Sequence, residues 1–423
     1  MTLKIGNSRG ILLLLALSLA GAGGRATADD VAAKAVEKVD QPERKRLPGM
    51  YSIARVGLLP ITASTGRALM HTEQYLAFGG AVSELEGADV QSQTEAIVKE
   101  LDKEMKYFRS GLGQSMRVNV CIKRSGDRAA VQETITRHLE GAVPALCFVV
   151  GDLPVKEALV GIDAVGSTDY TTESYSGKAR PVVSSRKGIW GARMAFLPAG
   201  RSIFVSGQSV KGDDVADSAA KTLEQLGETL KFLDRSWTNV VRVKTFLRNP
   251  HQNAKVVSEM IASRFQPKEF VPPQVFVEWT GPHDLEIELV VDGGAAMPEL
   301  PRVEFLTPPR MKASPVFSRV VRVNHGRLIY TAGVTGGNGD DPLNQAKVVL
   351  GEIETSMAVF RADLRHLVKA TYHLSDAAAG KGLDEVRKML FDPKSPPAAS
   401  KASVKGFGIP GATLMVDMIG VGP

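Results

Sequence analysis

The sequence predicts an α+β protein built from three tandem copies of one domain. Glycines that follow an apolar strand lie at Gly80, Gly207 and Gly333, which are 127 and 126 residues apart. The acids before a helix are Asp89, Asp214 and Asp341, which recur at steps of 125 and 127 residues. The cations in the next strand are Arg117, Arg242 and Lys369, which recur at the same steps. Self-similarity at a fixed period is the signature of a repeated structural unit.

The first helix of each copy is predicted by an apolar stripe. Counted from the acid, offsets 9, 12, 16 and 19 are apolar in all three copies, and this spacing places them on one helix face. The positions are Val98, Leu101, Met105, Phe108, Leu223, Leu226, Leu230, Leu233, Leu350, Ile353, Met357 and Phe360. Asp341-Pro342 is typical of an N-cap followed by proline at the first helical position, and Asp89 and Asp214 fit the same position. We therefore expect these acids to cap helices rather than to catalyse.

A strand, a second helix and two further strands follow in every copy. The strands are MRVNVCIK, VVRVKTFL and LVKATYHL, and the second helices are DRAAVQETITRHL, NAKVVSEMIASRF and GLDEVRKML. Proline-containing segments then lead into VPALCFVV, VPPQVFVEW and PPAASKASV, and the last strands are ALVGIDAVG, DLEIELVV and TLMVDMIGV. The order β-β-α-β-α-β-β predicts helices layered on one face of a sheet.

The domain boundaries follow from composition. We expect repeats at 48–166, 188–292 and 313–423, joined by linkers at 167–187 and 293–312. The first linker is rich in Ser, Thr, Tyr and Gly, and the second carries four prolines. Both compositions are typical of exposed connectors between domains.

The N-terminus is predicted to be a targeting segment. Lys4 and Arg9 precede a short apolar run at 11–19, and Ala26-Thr27-Ala28 fits a signal-peptidase site. We expect a signal peptide at 1–28 that is cleaved near Ala28, a leader at 29–47, and a periplasmic or secreted protein without a membrane anchor. An uncleaved anchor is the alternative.

Charge and cysteine content limit the partners. Cleavage would reduce the formal net charge from +6 to +3, and the cations are dispersed, whereas nucleic-acid binders cluster them in a patch. Cys121 and Cys147 could form a disulfide in an exported protein or remain buried thiols. No His or Cys cluster has metal-ligand spacing. We expect no nucleic acid, metal or other cofactor.

The residues of the second copy carry a family resemblance. Four segments of this copy resemble the RidA/YjgF family. They are residues 203–208 with the capped helix, the strand 240–247, Val271-Pro272-Pro273 and the strand 285–288. The third copy shares this pattern at 330–333 and 400–404, and the first is the most diverged.

The resemblance implies a fold and an activity. The family has a chorismate-mutase-like α+β fold, assembles as a homotrimer with ligand sites between subunits, and hydrolyses 2-imino acids to 2-oxo acids and ammonia without a cofactor. This chain would therefore be a monomer that folds as an intramolecular trimer, since cyclic symmetry closes a repeated interface. Its ligand would be a small carboxylate-bearing metabolite.

The family site implies candidate residues by position. It has a carboxylate-binding arginine, a cysteine two residues later, a glutamate on the last strand, backbone at the strand glycine and an aromatic residue before the first strand. The second copy has Gln274, Phe276, Glu286, Gly207 and, as the aromatic candidate, Trp190 at these positions. The third has Lys401, Ser403, Met415, Gly333 and Phe317, and the first has Leu146, Phe148 and Gly161 where the arginine, cysteine and glutamate would be.

No single copy holds both the cation and the carboxylate. We expect Glu286 and Lys401 as catalytic residues, and Gly207, Gln274, Gly333, Ser403, Trp190 and Phe317 as substrate-binding residues. The alternatives are that Lys401 is a solvated charge at a strand edge and that Glu286 or Glu288 faces water.

Two functions are compatible with these positions. The first is an exported imine or enamine deaminase of the RidA type, and the alternative is a non-catalytic pocket or scaffold that has lost the family arginine. The endoribonuclease label attached to this family fits poorly with export and dispersed charge.

Overall fold

The computed structural model describes residues 62–63, 68–76, 88–139, 141–169, 187–266, 270–336 and 341–423. All of them belong to a unit that spans Ile53 to Pro423. The predicted signal segment (1–28), the leader (29–47) and Gly80 lie outside the described residues. None of the described helices is long and apolar enough to cross a membrane.

The described elements follow the predicted order. The helices are α1 (Val90–Tyr107), α2 (Arg128–His138), α3 (Val215–Phe232), α4 (Pro250–Ala262), α5 (Pro342–Ala358) and α6 (Ala377–Leu390). The strands are β1 (Thr62–Ala63), β2 (Ala68–Thr72), β3 (Tyr75–Leu76), β4 (Ser115–Ile122), β5 (Ala145–Val150), β6 (Val160–Thr168), β7 (Met194–Leu197), β8 (Arg201–Gln208), β9 (Val240–Leu247), β10 (Gln274–Glu278), β11 (Leu285–Gly294), β12 (Val303–Leu306), β13 (Val320–Val323), β14 (Arg327–Tyr330), β15 (Val334–Thr335), β16 (Leu367–Leu374), β17 (Ala398–Ser403) and β18 (Leu414–Gly422).

The caps and stripes of the long helices are confirmed. Asp89, Asp214 and Asp341 are the N-caps of α1, α3 and α5, and each accepts a backbone N–H of its first helical turn, at 2.7, 2.8 and 2.9 Å. The stripe positions are buried, except that Phe360 is partly buried. Each long helix therefore packs on its sheet through the face that the sequence predicts.

Five strands have the same order in all three six-stranded sheets, and the sixth is β3, β15 or, at the edge of the second sheet, β12. In each, a central strand (β4, β9 or β16) pairs in parallel with the strand after the second helix and antiparallel with the last strand of its repeat. The last strand then pairs antiparallel with the strand that precedes the first helix. This common topology is the α+β fold that the sequence predicts.

The outer strand of each sheet comes from another repeat. β7 of the second repeat pairs with β2 in the first sheet, and β13 of the third repeat pairs with β8 in the second sheet. β1 of the first repeat pairs with β14 in the third sheet. Each repeat thus completes the sheet of the preceding repeat, and the first completes the third, so the exchange closes into a cycle.

The hydrophobic core has an outer and an inner layer. Three clusters lie between each sheet and its own two helices. Two further clusters combine residues of all three sheets, for example Leu69, Phe204 and Tyr330 in one of them. The central strands are buried on both faces, so each combines apolar residues with buried polar or charged ones.

Buried ion pairs connect the three repeats. The cations that recur in the central strands each contact an acid on the last strand of the preceding repeat, and the acids recur at steps of 125 and 129 residues. The pairs are Arg117–Asp417 (2.6 Å), Arg242–Asp163 and Lys369–Glu288 (2.7 Å). The ring of pairs closes from the first repeat onto the third, as the strand exchange does.

Two segments differ in detail from the sequence interpretation. The predicted linker 293–312 includes β12, which pairs with β13 and extends the second sheet. The two cysteines are buried free thiols, so the disulfide alternative for Cys121 and Cys147 is not realised.

Candidate functional site

A cavity of about 380 Å³ lies at the junction of the second and third repeats. We call it the 2–3 cavity. Its lining includes Gly207 and Glu286 from the second repeat, and Phe317, Arg319, Lys401 and Ser403 from the third. The structure therefore brings together five of the eight residues expected at a site, and it pairs the carboxylate of one repeat with the cation position of the next.

Gly207 makes room for Glu286. A Cβ at Gly207 would lie 1.9 Å from Oε1 of Glu286 and 2.3 Å from its Cδ, far closer than any real contact. Because the glycine has no side chain, the carboxyl group of Glu286 lies directly against the β8 backbone beside the cavity. Gly207 thus allows β11 to place the Glu286 carboxyl group beside the cavity.

The environment of Glu286 favours a proton near neutral pH. Its Oε1 is buried and has no hydrogen-bond partner among the described residues. Burial, with a smaller contribution from the charge of Glu288, raises its pKa to about 7, against the opposing charge of Lys369 and hydrogen bonds from the Ser400 side chain and the Lys401 backbone. A carboxyl group with a pKa near the working pH can both accept and donate a proton.

Glu288 is different although it lies two residues away on the same strand. Burial alone would raise its pKa, but the charges of Lys369 and Lys244 and hydrogen bonds from Lys369 and Ser400 outweigh burial and lower it well below its usual range. Glu288 is therefore a structural anion, and Glu286 is the carboxyl group that faces the cavity.

Lys401 lies at the mouth of the cavity with its charge already paired. Its Nζ is 3.2 Å from Oδ2 of Asp384 on α6, and its side chain is 42% exposed. The cation at the family arginine position therefore has an acidic partner within its own repeat.

Sequence reasoning missed Arg319, the residue just before β13. Its guanidinium Cζ lies 4.7 Å from the centroid of the Phe317 ring, and its Nε donates to the carbonyl oxygen of Lys312 at 3.0 Å. A signal was available, because Arg193 occupies the same place in the second repeat, 126 residues earlier. Trp279 and His283, with ring centroids 5.8 Å apart, also line the cavity and were not anticipated.

Gln274 and Trp190 lie at the junction of the first and second repeats instead. Gln274 is buried and donates through Nε2 to the carbonyl oxygen of Trp190. Gln74 of the first repeat contacts this region: its N–H donates to the carbonyl oxygen of Gln274 at 3.3 Å, and its Oε1 accepts from the Phe276 N–H at 3.2 Å. Opposite, a Cβ at Gly161 would lie 2.9 Å from Nε2 of Gln74, so side chains occupy this junction.

Gly333 lies at the junction of the third and first repeats, which is also filled. Its N–H donates to the carbonyl oxygen of Leu146 at 3.0 Å. A Cβ there would lie 2.6 Å from Sδ of Met415, the residue at the glutamate position. Met415 and Leu146 stand where the resemblance places the acid and the cation, so this junction lacks both groups at those two positions.

One family model matches part of the chain. Residues 307–421 match the model of the family described as Endoribonuclease L-PSP. The third repeat is therefore similar to this family. Phe317, Arg319, Gly333, Lys401 and Ser403 lie within the match, whereas Glu286 and Gly207 precede it.

The solved structures that are similar to parts of this chain include members of the YjgF family. A YjgF family member from Neisseria meningitidis is 21% identical, covers 29% of this chain and 95% of its own, and has a TM-score of 0.22. A member of the YjgF/YER057c/UK114 family from Mycobacterium tuberculosis is 28% identical, covers 25% and 86%, and has a TM-score of 0.21. No curated protein sequence matches the chain significantly.

Within the described ranges, no group of three or more His, Cys, Asp or Glu side chains is arranged to hold a metal ion.

Proposed function

We propose that this protein hydrolyses small 2-imino acids or their enamine tautomers to 2-oxo acids and ammonia in the 2–3 cavity. The observation that supports this proposal is the carboxyl group of Glu286. It lies beside a cavity, its pKa is raised to about 7, and one of its oxygens has no partner among the described residues.

The reaction needs one group that accepts a proton and then donates it. The Glu286 carboxylate takes a proton from water while the water oxygen bonds to the imine carbon, and the C=N π electrons move to nitrogen. The protonated Glu286 gives this proton to the nitrogen, which yields a neutral carbinolamine. Glu286 then takes the hydroxyl proton and delivers it to the same nitrogen as the C–N bond breaks and the C=O group forms, so ammonia and the 2-oxo acid are the products.

The 2–3 junction combines a cavity of about 380 Å³ with a carboxyl group whose pKa is raised to about 7. The other two junctions are filled by Gln74 and Gln274 in one case and by Met415 and Leu146 in the other. We therefore propose one active cavity per chain, in a protein that the N-terminal sequence would direct out of the cytoplasm as a monomer.

The test is imine decay with the purified mature chain. An amino-acid oxidase generates 2-iminobutanoate, and the loss of imine is followed with and without the protein. We expect acceleration by the wild type and a loss on the order of 10²- to 10⁴-fold in Glu286→Gln. Glu228→Gln, at an exposed acid on α3, is the control and should retain full activity.

The alternative is a binding pocket without turnover. The pairing of Lys401 with Asp384 favours it, because the cation at the family arginine position is already engaged. Binding of a 2-oxo acid in the cavity, with no acceleration of imine decay, would support this alternative and reject the hydrolase.

A further inference from the structure

Arg193 and Arg319 occupy equivalent positions at two different junctions. Each lies just before the strand that its repeat contributes to the preceding sheet. Nε of Arg193 donates to the carbonyl oxygen of Lys187 at 3.3 Å, and Nε of Arg319 donates to that of Lys312 at 3.0 Å. The two guanidinium groups are therefore held in the same way, and a difference between them reflects their other neighbours.

Arg193 is neutralised by acids of the first repeat. Its Nη1 lies 2.5 Å from Oε1 of Glu100 and 3.3 Å from Oε1 of Glu104, both on α1. The equivalent positions on α3, 125 residues later, are Gln225 and Thr229. Both neutral side chains instead bond to Gln208, at 3.0 and 2.9 Å.

Arg319 consequently has no acidic partner within the described part of the chain. Among the described residues, Nε alone has a hydrogen-bond acceptor, and none accepts from Nη1 or Nη2. Burial lowers the pKa of Arg319, and no carboxylate offsets this effect. An arginine that is partly removed from water and lines a cavity is suited to an anionic ligand, because its planar fork matches a carboxylate.

The backbone at Arg319 is fixed from both repeats. The Ser206 N–H of β8 donates to the carbonyl oxygen of Arg319 at 3.0 Å. The neighbouring Ser318 donates through its N–H to Pro397 and accepts at its carbonyl oxygen from the Ser206 hydroxyl. Since the stacked Phe317 ring also holds the guanidinium, binding an anion requires little ordering of the protein.

We propose that Arg319 binds the substrate carboxylate in the 2–3 cavity, in place of the cation at position 401. The proposal rests on the proposed function for the identity of the substrate as a 2-imino acid. It implies that the cavity accepts small carboxylates and discriminates against neutral imines and ketones of the same size.

Binding of 2-oxobutanoate, measured by titration calorimetry on the mature chain, tests this proposal without requiring turnover. We expect Arg319→Gln to weaken binding on the order of 10- to 100-fold. Lys401→Gln should change it less than about fivefold, as for an exposed ion pair. Arg193→Gln, the same substitution at the paired arginine, should leave binding unchanged.

A second variant restores the acid that this junction lacks. Gln225→Glu recreates on α3 the partner that Glu100 supplies to Arg193, so it should neutralise Arg319 and weaken 2-oxobutanoate binding without removing any cavity residue. Thermal unfolding of each variant checks that the fold is retained. 2-Butanone, which lacks the carboxylate, should not compete.

The outcomes separate this proposal from the hydrolase. Binding that depends on Arg319 without imine hydrolysis would reject the hydrolase and retain the carboxylate site. Four results would each overturn the assignment of Arg319. They are unchanged 2-oxobutanoate binding in Arg319→Gln, loss of that binding in Lys401→Gln, equal binding of the neutral ketone, and no binding by the wild type.

Discussion

Glu286 and Glu288 show how two identical side chains on one strand acquire different roles. Glu288 contacts the Lys369 ammonium at 2.7 Å and is held ionised, whereas Glu286 keeps one buried oxygen without a described partner. Pairs of titratable groups whose environments separate their pKa values are typical of acid–base sites. The strand therefore supplies one structural carboxylate, Glu288, and one carboxyl group, Glu286, that we propose as the acid–base catalyst.

The raised pKa of Glu286 predicts a pH-dependent rate. If its carboxylate is the base, kcat/KM for imine hydrolysis should rise with pH through about 7 and then level off. Glu286→Gln should remove this inflection. The role of Glu286 would be contradicted by a wild-type profile that is flat from about pH 5.5 to about pH 8.5, a range that spans a pKa of about 7.

The same pKa shift has a consequence for stability. The folded protein retains the Glu286 proton at pH values where the unfolded chain has lost it, so its contribution to stability is greatest below the ordinary pKa and declines as the pH rises to about 7. We therefore compare the free energy of unfolding of Glu286→Gln with that of the wild type at two pH values. The difference should favour the variant more at pH 8 than at pH 4.5, which is the ordinary pKa of the group.

Sequence reasoning could identify single positions of the site but not their combination. Glu286, Lys401 and Phe317 were predicted because each occupies a family position within its own repeat. Their meeting in one cavity depends on the cyclic order of the repeats, which a periodic sequence does not contain. Arg319 was missed because its importance depends on the loss of acids on α3, and only the paired Arg193 reveals that difference.

At the scale of elements, the three central strands combine packing with charge. Each is buried on both faces and carries one cation that reaches an acid of another repeat. The recurring cations were visible in the sequence, but their partners lie on other repeats and could not be assigned from it. Helices and caps were predictable because their signals are local, whereas the exchange of β1, β7 and β13 depends on contacts between repeats.

Breaking one of these pairs should cost more than breaking a surface pair. Lys369→Met leaves Glu288 buried without its ammonium partner, and we expect a loss of about 3–5 kcal/mol in the free energy of unfolding. Lys221→Met, at an exposed pair with Asp217 on α3, should cost far less, because solvent screens an exposed pair. Urea unfolding of both variants measures the difference.

A double variant distinguishes an unpaired charge from lost packing. Lys369→Met with Glu288→Leu replaces the pair by apolar side chains, and it should recover most of the stability. Two results would show that the pair is not a principal link between repeats. One is a double variant as unstable as Lys369→Met alone, and the other is a single variant that loses less than about 1 kcal/mol of unfolding free energy.

At the scale of the whole molecule, no described sheet is complete within one repeat. Each takes its outer strand from another repeat, the inner hydrophobic clusters combine all three sheets, and the ion pairs close into a ring. Repeats that share strands cannot unfold one at a time without exposing both a sheet edge and the inner core. The three repeats should therefore behave as one cooperative unit.

The distribution of tryptophan allows a direct test of this coupling. Trp190, Trp237 and Trp279 are the three tryptophans of the chain, and all lie in the second repeat. Tryptophan fluorescence therefore reports on that repeat, whereas far-UV circular dichroism reports on all three. We expect both signals to give one denaturation midpoint. The midpoint should also be independent of protein concentration, because the interfaces form within one chain. Separate midpoints would show that the repeats unfold independently, and a concentration-dependent midpoint would show that the folded protein is an assembly of several chains.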